Sequence, residues 1–326
     1  MRIVLIGAVE STRIAIEILA KYGSPPAVLL TLPLSKSLRH SDYVHLEPLA
    51  VRYGIPAIEV ANINQPEVLQ QIRSFQPDYI FVIGWSQICR EEFLSIPRIG
   101  SIGYHPALLP ENRGRAVIPW TILQRQIETG STLFWLDSGA DSGDVLIQEK
   151  FSVDPDETVT TLYHKHCQSL ERLLSQALPM LLAGNPPRIP QEHSRATYCA
   201  KRVPNDGLID WNLPAESVWT LIRAVGKPYP GAFTFLKGKK LFIWEADYVG
   251  EGPYWGLPGQ VQAVLETGTL VQCGDGKHVL LKLVQLENEP QLSANLLLKN
   301  HEKLGIDLLM FYAHLSDITS GSIGLV

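Results

Sequence analysis

The start of the chain alternates short apolar runs with helical patterns, and this alternation constrains the fold more than any other feature. The apolar runs are Arg2–Gly7, Ala27–Leu32, Pro56–Val60 and Tyr79–Ile83, and the helical patterns are Ser11–Lys21, Leu46–Tyr53 and Gln65–Ser74. Short apolar runs are typical of parallel strands that are buried on both faces. The alternation therefore predicts an α/β fold with a doubly wound, mostly parallel sheet. The first turn, GAVEST, lacks the G-x-G-x-x-G pattern, so a dinucleotide site is not indicated.

One histidine and one aspartate follow the next two predicted strands. Ser101–Tyr104 is a short apolar run, and His105 comes directly after it. Open α/β sheets bind their ligands at the carboxyl ends of such strands. Thr132–Leu136 is a second predicted strand, and the glycine-rich loop after it contains Asp141. Because a histidine can exchange a proton near neutral pH and a carboxylate can orient it, the two residues are predicted to form a proton-transfer pair.

The segments around these two residues resemble motifs of the 10-formyltetrahydrofolate-dependent formyltransferases. HPALLPENRGRAVIPW is similar to their H-x-S-L-L-P-x-x-R-G-x-x-P-x-x-W loop, with Ala107 in place of the serine and the later proline shifted to Pro119. DSGADSG is similar to their D-x-G-x-D-x-G loop. The likeness extends to about residue 285. RGRAVIPW, TLYHKHC, AKRVPNDGLIDW, IRAVGKPYPGAF and CGDG resemble the branch of UDP-4-amino-4-deoxy-L-arabinose formyltransferases and related nucleotide-sugar N-formyltransferases.

This resemblance implies a reaction and a two-part fold. The formyl group of 10-formyltetrahydrofolate would pass to the amino group of a nucleotide-linked aminodeoxysugar, without a metal, giving an N-formylated sugar for a surface polysaccharide or lipid. The fold would be a Rossmann-like formyltransferase domain followed by a small open β-barrel of the oligonucleotide-binding type. Such a barrel does not by itself indicate nucleic-acid binding.

The resemblance also implies roles for individual residues. His105 would transfer the proton, and Asp141 would orient it and help to deprotonate the amine. The pterin ring would bind at Gln87, Ile88 and Cys89, largely through backbone groups, and beneath the loop formed by Asp137, Ser138, Gly139, Ala140 and Asp141. Arg115 would contact phosphate, since its planar fork binds phosphate oxygens in pairs. Arg113 is expected to shape the loop through a salt bridge. Arg202 would reach toward the sugar nucleotide, the alternative being a solvated linker arginine.

Gly103 is the main departure from the family pattern. The family has asparagine two residues before the histidine, and its amide donates to the formyl oxygen. Because strand side chains alternate, Tyr104 points to the other face and is not a replacement. Losing one such hydrogen-bond donor typically costs about 2.7–4 kcal/mol. Three explanations stay open: a backbone N–H or water substitutes, the Asn112 side chain reaches in, or the chain binds folate and nucleotide sugar with weakened catalysis.

The composition is that of an intracellular, cytoplasmic enzyme. The net charge is −5, with 28 Lys and Arg against 33 Asp and Glu, whereas nucleic-acid-binding domains are usually basic. Neither a signal pattern nor an apolar stretch of roughly 20 residues is present, so no membrane association is expected. The four cysteines are far apart, which indicates reduced thiols. The alternative enzyme, methionyl-tRNA formyltransferase, predicts a long basic insertion, but Ser35–Asp42 is short and weakly basic.

The predicted organisation is a catalytic domain at 1–188, a linker at 189–205, a small barrel at 206–290 and a helical extension with tail at 291–326. A long helix at Val159–Ala183 carries His164 and His166, which are expected to be exposed or half-buried. The barrel strands are predicted at Ala232–Leu236, Lys240–Val249, Gly259–Val264, Thr269–Cys273 and His278–Val284, after a helix at Ala215–Val225. An amphipathic helix is predicted over Ser293–His314, either packed on the barrel or forming a homodimer contact, and Asp317–Val326 is predicted as a tail.

Overall fold

The computed structural model describes residues 1–39 and 41–306. The chain forms two compact units, and the division between them falls between Arg202 and Val203. Each unit has its own sheet.

A seven-stranded sheet forms the centre of the first unit. Its strands, in chain order, are β1 (Ile3–Ile6), β2 (Val28–Thr31), β3 (Ala57–Glu59), β4 (Tyr79–Val82), β5 (Gly100–His105), β7 (Glu128–Trp135) and β8 (Val145–Ser152), and the short β6 (Arg113–Gly114) lies outside it. Their order across the sheet is β3-β2-β1-β4-β5-β7-β8. The strands from β3 to β5 are parallel, whereas β7 and β8 are antiparallel. The predicted fold class is therefore confirmed.

Helices cover both faces of this sheet. They are α1 (Glu10–Lys21), α2 (Glu47–Arg52), α3 (Pro66–Ser74), α4 (Glu91–Leu94), α5 (Val117–Leu123) and α6 (Val159–Leu182), with 3-10 turns at Leu34–Arg39 and His193–Arg195. Leu5 of β1 packs in the core beneath α1 and α6, while Val4 and Ile6 pack in the core beneath α3. The alternation of side chains along each strand thus divides the apolar residues between two cores.

His166 on α6 differs from its prediction. It is 2% exposed, whereas His164 on the same helix is exposed. Residues two apart on a helix lie on different faces. The apolar face of α6 packs on the sheet, so the two histidines meet opposite environments.

The predicted linker at 189–205 is largely part of the first unit. Ile189 pairs with Val145, its N–H donating to the Val145 carbonyl at 2.9 Å and its carbonyl accepting at 2.8 Å. A further strand, β9 (Tyr198–Cys199), pairs in parallel with β6. The glycine and prolines at 184–190 suggested a linker there or shortly after, but backbone groups of Ile189 and of Tyr198–Cys199 pair with distant strands.

The second unit is an antiparallel sheet with one main helix. It contains α7 (Ala215–Val225), β10 (Ala232–Leu236), β11 (Lys239–Gly250), β12 (Val261–Leu265), β13 (Gly268–Gln272), β14 (His278–Leu286), β15 (Leu292–Ser293) and α8 (Ala294–Leu297). The strand order is β10-β11-β14-β13-β12, with β15 beside β14. The five predicted barrel strands and α7 correspond to these elements.

The predicted helix at Ser293–His314 is wrong over most of its described length. Only Ala294–Leu297 is helical. The Lys303–Leu304 segment instead bridges both edge strands, through Gln260 beside β12 and Leu236 of β10. Because edge strands present unpaired backbone groups, this segment gives both edges a partner. The rest of the predicted helix and the predicted tail lie outside the described residues.

None of the helices in the described ranges is long and apolar enough to cross a membrane.

Candidate active site

The carboxyl ends of β4 and β5 meet at one edge of the first sheet, because Val82 and Gly103 are in register. His105 is the last residue of β5 and is 4% exposed. The loops that follow β5 and β7 both contact this histidine, and Arg115 joins them to the loop after β4. These three loops contain most of the residues singled out in the sequence.

Both ring nitrogens of His105 face oxygen atoms. Nε2 lies 2.7 Å from the backbone carbonyl of Asn112, and Nδ1 lies 3.6 Å from Oδ2 of Asp141. A carbonyl oxygen only accepts, so Nε2 carries the hydrogen in that contact. Nδ1 is therefore the ring nitrogen that can gain or lose a proton beside the carboxylate. The predicted pair is brought together in this way.

Asp141 is held in an uncommon backbone conformation. Its φ is +53°, and Asn112 and Ala116 also have positive φ values, of 57° and 53°. Such left-handed conformations cost non-glycine residues of order 1–3 kcal/mol each and cluster at functional sites. The Asp141 carboxylate accepts the Gly114 N–H at 2.9 Å. The loops around His105 are thus tied to one another.

Bulky apolar side chains fill the space beside Gly103. A Cβ atom at this position would lie 2.7 Å from Cδ2 of Leu136 and 2.9 Å from the ring of Phe134, which is the cross-strand neighbour of Gly103. Tyr104 faces the other side of the sheet, where its hydroxyl lies 3.1 Å from Oγ of Ser131. No room is left beside Gly103 for a side chain like the family asparagine.

The Asn112 side chain does not stand in for that asparagine. Its Nδ2 donates to Oε1 of Gln126 at 3.2 Å, and its Oδ1 faces Sγ of Cys199 at 3.7 Å. Asn112 is 8% exposed and contacts His105 only through its backbone carbonyl. Of the three explanations for Gly103, the one that uses the Asn112 amide is not supported by this arrangement.

Hydrogen bonds from Gln87 tie the loop after β4 to a neighbouring loop. Gln87 accepts the Ile63 N–H at 3.1 Å and donates to the Ala61 carbonyl at 2.7 Å, so its side chain braces a neighbouring loop. Cys89 is 6% exposed, and burial raises the pKa of its thiol to about 12. Ile88 is 66% exposed. What this loop offers to a ligand is therefore the Ile88 side chain and backbone groups.

The loop after β7 is a tight turn organised by Asp137. Its carboxylate accepts the Gly139 N–H at 3.0 Å and the Ser142 hydroxyl at 2.8 Å. Ser138, Gly139 and Ala140 are exposed. Their backbone groups border the segment that carries Asp141.

The two predicted substrate arginines lie in different settings. Arg115 is exposed and donates through Nη2 to the carbonyl of Ser86, which joins its loop to the loop after β4. Arg202 lies with its guanidinium 5.2 Å from the centre of the Trp120 ring. Arg115 thus follows Gly114, whose N–H binds the Asp141 carboxylate, while the Arg202 guanidinium lies over the Trp120 ring in the same unit.

Gln191 was not recognised from the sequence as part of the site, whereas Arg113 was expected to shape the loop after His105. Arg113 is 2% exposed, and the expectation of a salt bridge is wrong, since its partners are Gln191, Tyr198 and His193. A guanidinium only donates, so the His193 nitrogen in this contact accepts. Gln191 lies in the segment that reads as a linker. Its only sequence signal, a glutamine between a proline and a glutamate, is too common to indicate a buried role.

His166 lies on the opposite face of the same strands. Its Nδ1 is 3.0 Å from Oγ of Ser131, and Phe151 packs edge-on at 5.0 Å between ring centres. Burial, and secondarily the charge of His105, lower the pKa of His166 to about 3. This histidine is therefore neutral at ordinary pH. Within the described residues, no group of three or more His, Cys, Asp or Glu could hold a metal ion.

Two parts of the chain match known family profiles. Residues 35–178 match the family described as formyl transferase, and residues 201–302 match the one described as formyl transferase, C-terminal domain. The methionyl-tRNA formyltransferase of Syntrophus aciditrophicus (strain SB) is 34% identical over 302 residues, covering 92% of this chain and 96% of that protein. The family resemblance carried by the two loop motifs is thereby confirmed.

Solved structures show the same fold at low sequence identity. HypX from Aquifex aeolicus, in complex with tetrahydrofolic acid, matches with a TM-score of 0.65 and 17% identity over 90% of this chain, which spans 46% of the HypX chain. The N-formyltransferase from Helicobacter canadensis, in complex with folinic acid and dTDP-3-aminofucose, matches with a TM-score of 0.62 and 17% identity, covering 88% of this chain and 100% of that one.

Proposed function

Because the chain belongs to the formyl transferase family, we propose that it transfers the formyl group of 10-formyltetrahydrofolate to the amino group of a nucleotide-linked aminodeoxysugar. The observation that carries the proposal is the His105–Asp141 pair at the carboxyl edge of the sheet, with Arg115 on the loop that follows His105 and in contact with the loop after β4. The ligands of the Helicobacter canadensis enzyme support both substrate classes.

The residues present fit a folate. The loop that includes Ile88 and the turn at Asp137–Asp141 offer exposed backbone groups and an apolar side chain. A flat heteroaromatic ring with amide-like edges pairs well with such groups. When bound there, 10-formyltetrahydrofolate supplies the formyl group, and the protein binds and orients the ring.

His105 and Asp141 handle the protons. Formyl transfer to an amine requires that the amine lose a proton and that the folate nitrogen regain one. Nδ1 of His105 is the ring nitrogen beside Asp141, so it is the position at which a proton is held or released. Asp141 orients the ring, and the Gly114 N–H fixes the carboxylate. Positioned acid–base groups of this kind contribute about 10²- to 10⁴-fold to a rate.

Charge balance favours a nucleotide sugar over a transfer RNA. From Val203 onward the chain has nine Lys and Arg against thirteen Asp and Glu. Contacts from Lys and Arg to phosphates supply most of the affinity of nucleic-acid-binding proteins. The second unit is acidic, whereas one or a few arginines are enough for the phosphates of a nucleotide sugar.

Methionyl-tRNA formyl transfer is the second candidate, and the 34% identity to the Syntrophus aciditrophicus protein favours it. A panel assay decides between the two. Nucleotide-linked 3-amino and 4-amino deoxysugars and methionyl-tRNA would each be incubated with 10-formyltetrahydrofolate, and the N-formyl products quantified. We expect turnover of at least one aminosugar and none of methionyl-tRNA. The reverse result would establish the second candidate, and folate binding without any turnover would favour a binding protein.

Arg115→Ala tests the acceptor side of the proposal. A hydrogen bond to a charged group is worth about 1.5–3 kcal/mol, so the KM for the nucleotide sugar should rise roughly 10- to 100-fold. A contact made equally in the ground and transition states leaves kcat nearly unchanged. Arg98→Ala is a matched control, since Arg98 is an exposed arginine that pairs with Asp78. A rise in the KM for folate instead would show that Arg115 contacts the folate and not the nucleotide sugar.

A further inference from the structure

Gln191 is a buried residue within the segment that reads as a linker. It is 7% exposed. The neighbouring Ile189 is fixed by its two backbone hydrogen bonds to Val145, at the start of β8. A buried amide must be hydrogen-bonded to avoid a desolvation cost, and all of its polar atoms have partners here.

The Gln191 amide nitrogen holds the loop that carries Asp141. Nε2 donates to the carbonyl of Asp141 at 2.9 Å and to the carbonyl of Gly143 at 2.6 Å. Asp141 is therefore held at two points, its carbonyl by Gln191 and its carboxylate by the Gly114 N–H. A non-glycine residue at φ +53° needs such external contacts to remain in that conformation.

Arg113 fixes the direction of the Gln191 amide. Nε and Nη2 of Arg113 donate to Oε1 of Gln191 at 3.2 and 2.6 Å. Because a guanidinium only donates, the amide oxygen must face Arg113 and the amide nitrogen must face the two carbonyls. Arg113 is buried, and its contacts with Tyr198 and His193 hold it in place.

Three consecutive residues thus act on both members of the catalytic pair. Asn112 accepts from His105, Arg113 orients Gln191, and Gly114 donates to the Asp141 carboxylate. Together these contacts connect His105 to Asp141 through the loop after β5 and through Gln191, which belongs to the segment after α6.

We propose that Gln191, oriented by Arg113, is a positioning residue that holds Asp141 at its working distance from His105. The proposal rests on the proposed function, because it assumes that these two residues move the proton. Gln191 itself touches only the loop backbone and Arg113. Loss of its amide donor therefore lowers the rate and leaves the affinity for the nucleotide sugar unchanged, whereas folate binds against the same turn and is bound more weakly.

Gln191→Glu tests the proposal with a change of nearly equal shape. The carboxylate keeps its contact with Arg113, so the buried guanidinium stays paired, but both hydrogen bonds to the loop are lost. Misplacement of a catalytic group by about 1 Å can cost on the order of 10²-fold in rate. We expect kcat to fall about 10- to 100-fold, with the KM for the nucleotide sugar close to that of the wild type. The new carboxylate oxygen faces the Asp141 and Gly143 carbonyls, so the thermal midpoint should fall too, and it is measured to show that the variant stays folded at the assay temperature.

Gln285→Glu in the second unit is the matched control. Gln285 also donates through Nε2 to a backbone carbonyl, that of Glu289 at 2.7 Å, and accepts through Oε1, from Trp244. This variant should keep the wild-type kcat. An unchanged kcat in Gln191→Glu, or an equal fall in Gln285→Glu, would overturn the proposal.

Hydrogen exchange of the peptide 137–144 gives a readout that is independent of activity. In Gln191→Glu this peptide should exchange about ten-fold faster or more, because local opening depends on the contacts that hold the loop. The proposed function is tested by whether the wild type formylates an aminosugar of the panel. The Gln191 proposal is tested by the ratio of the variant kcat to the wild-type kcat, measured with whichever amine is formylated. If no amine is formylated, unchanged exchange of peptide 137–144 would still overturn it.

Discussion

Two buried histidines lie on opposite sides of strand β5 and have different surroundings. His105 is the last residue of the strand, and His166 packs against the other side from α6. On one face His105 lies between the Asn112 carbonyl at 2.7 Å and the Asp141 carboxylate at 3.6 Å. On the other, His166 packs against Phe151, and its Nδ1 contacts the Ser131 hydroxyl. Its Nε2 has no hydrogen-bond partner among the described residues. His105 and His166 are 4% and 2% exposed, so burial alone does not separate them.

The difference lies in what surrounds each ring. His105 is surrounded by a carbonyl and a carboxylate oxygen, and both can accept hydrogen bonds from a ring that carries a hydrogen on each nitrogen. The Ser131 hydroxyl carries no charge, and Nε2 of His166 has no hydrogen-bond partner among the described residues, so a positive charge on this buried ring would be poorly compensated and His166 stays neutral. The proposed proton transfer therefore belongs to the face that carries Gly103 and His105, and His166 on the other face packs as a neutral ring.

The largest expected effect comes from removing the pair on the first face. His105→Ala and Asp141→Asn should each lower kcat by about 10²- to 10⁴-fold and leave folate affinity nearly intact, since the ring is held mainly by backbone. His166→Gln, on the other face, should keep a kcat near that of the wild type. Steady-state kinetics with the formylated amine, together with folate titration, measures both.

This comparison would be broken by either of two results. Near-wild-type turnover in His105→Ala or Asp141→Asn would remove the proposed proton path. A fall in His166→Gln as large as that in His105→Ala would mean that the face behind the sheet takes part in the chemistry.

Gly103→Asn sharpens the comparison from within the first face. Its Cβ would press on Leu136 and the Phe134 ring, and overpacking of this kind typically costs about 1–3 kcal/mol. We expect a lower free energy of unfolding and a kcat no higher than that of the wild type. Gly103→Asn combined with Phe134→Ala removes the conflict with the Phe134 ring, keeps the one with Leu136, and serves as the companion variant. A kcat gain of about ten-fold or more in the single variant would show that this site lacks a hydrogen-bond donor that an asparagine can supply.

The last effect is small near neutral pH and grows with acidity, and it concerns His166 and acid stability. Its pKa falls from the ordinary 6.5 to about 3 in the folded chain, so between these values the unfolded chain binds a proton that the folded chain does not. The stabilisation present above pH 6.5 is therefore lost as the pH falls toward 3, by about 1.4 kcal/mol per pH unit. His166→Gln should remove this part of the slope in denaturant unfolding, whereas His164→Gln, the exposed control on α6, should retain it. Equal slopes in both variants would show that His166 is protonated in the folded chain.

Local patterns in the sequence determined most of the fold. Buried strands and amphipathic helices are recognisable from runs and periods of a few residues, and the strands and helices predicted between residues 2 and 225 lie close to their predicted places, whereas α4, β6, β8 and β9 were not predicted. The His105–Asp141 pair was also accessible, because two strand ends and a motif resemblance pointed to one sheet edge. The C-terminal helix prediction failed since its apolar pattern also suits a segment that pairs with the edges of β10 and β12.

Only the tertiary structure decided how the site is held. Phe134 fills the space beside Gly103 because antiparallel register places the two residues opposite each other, and register depends on the whole sheet. Gln191 reaches Asp141 from 50 residues away along the chain, and Arg113 reaches Gln191 across 78. Contacts between such distant residues leave no periodic trace in a sequence, whereas strands and helices do. The sequence by itself thus determined most of the elements and the pairing of His105 with Asp141, and long-range hydrogen bonding and packing determined the positions of their side chains.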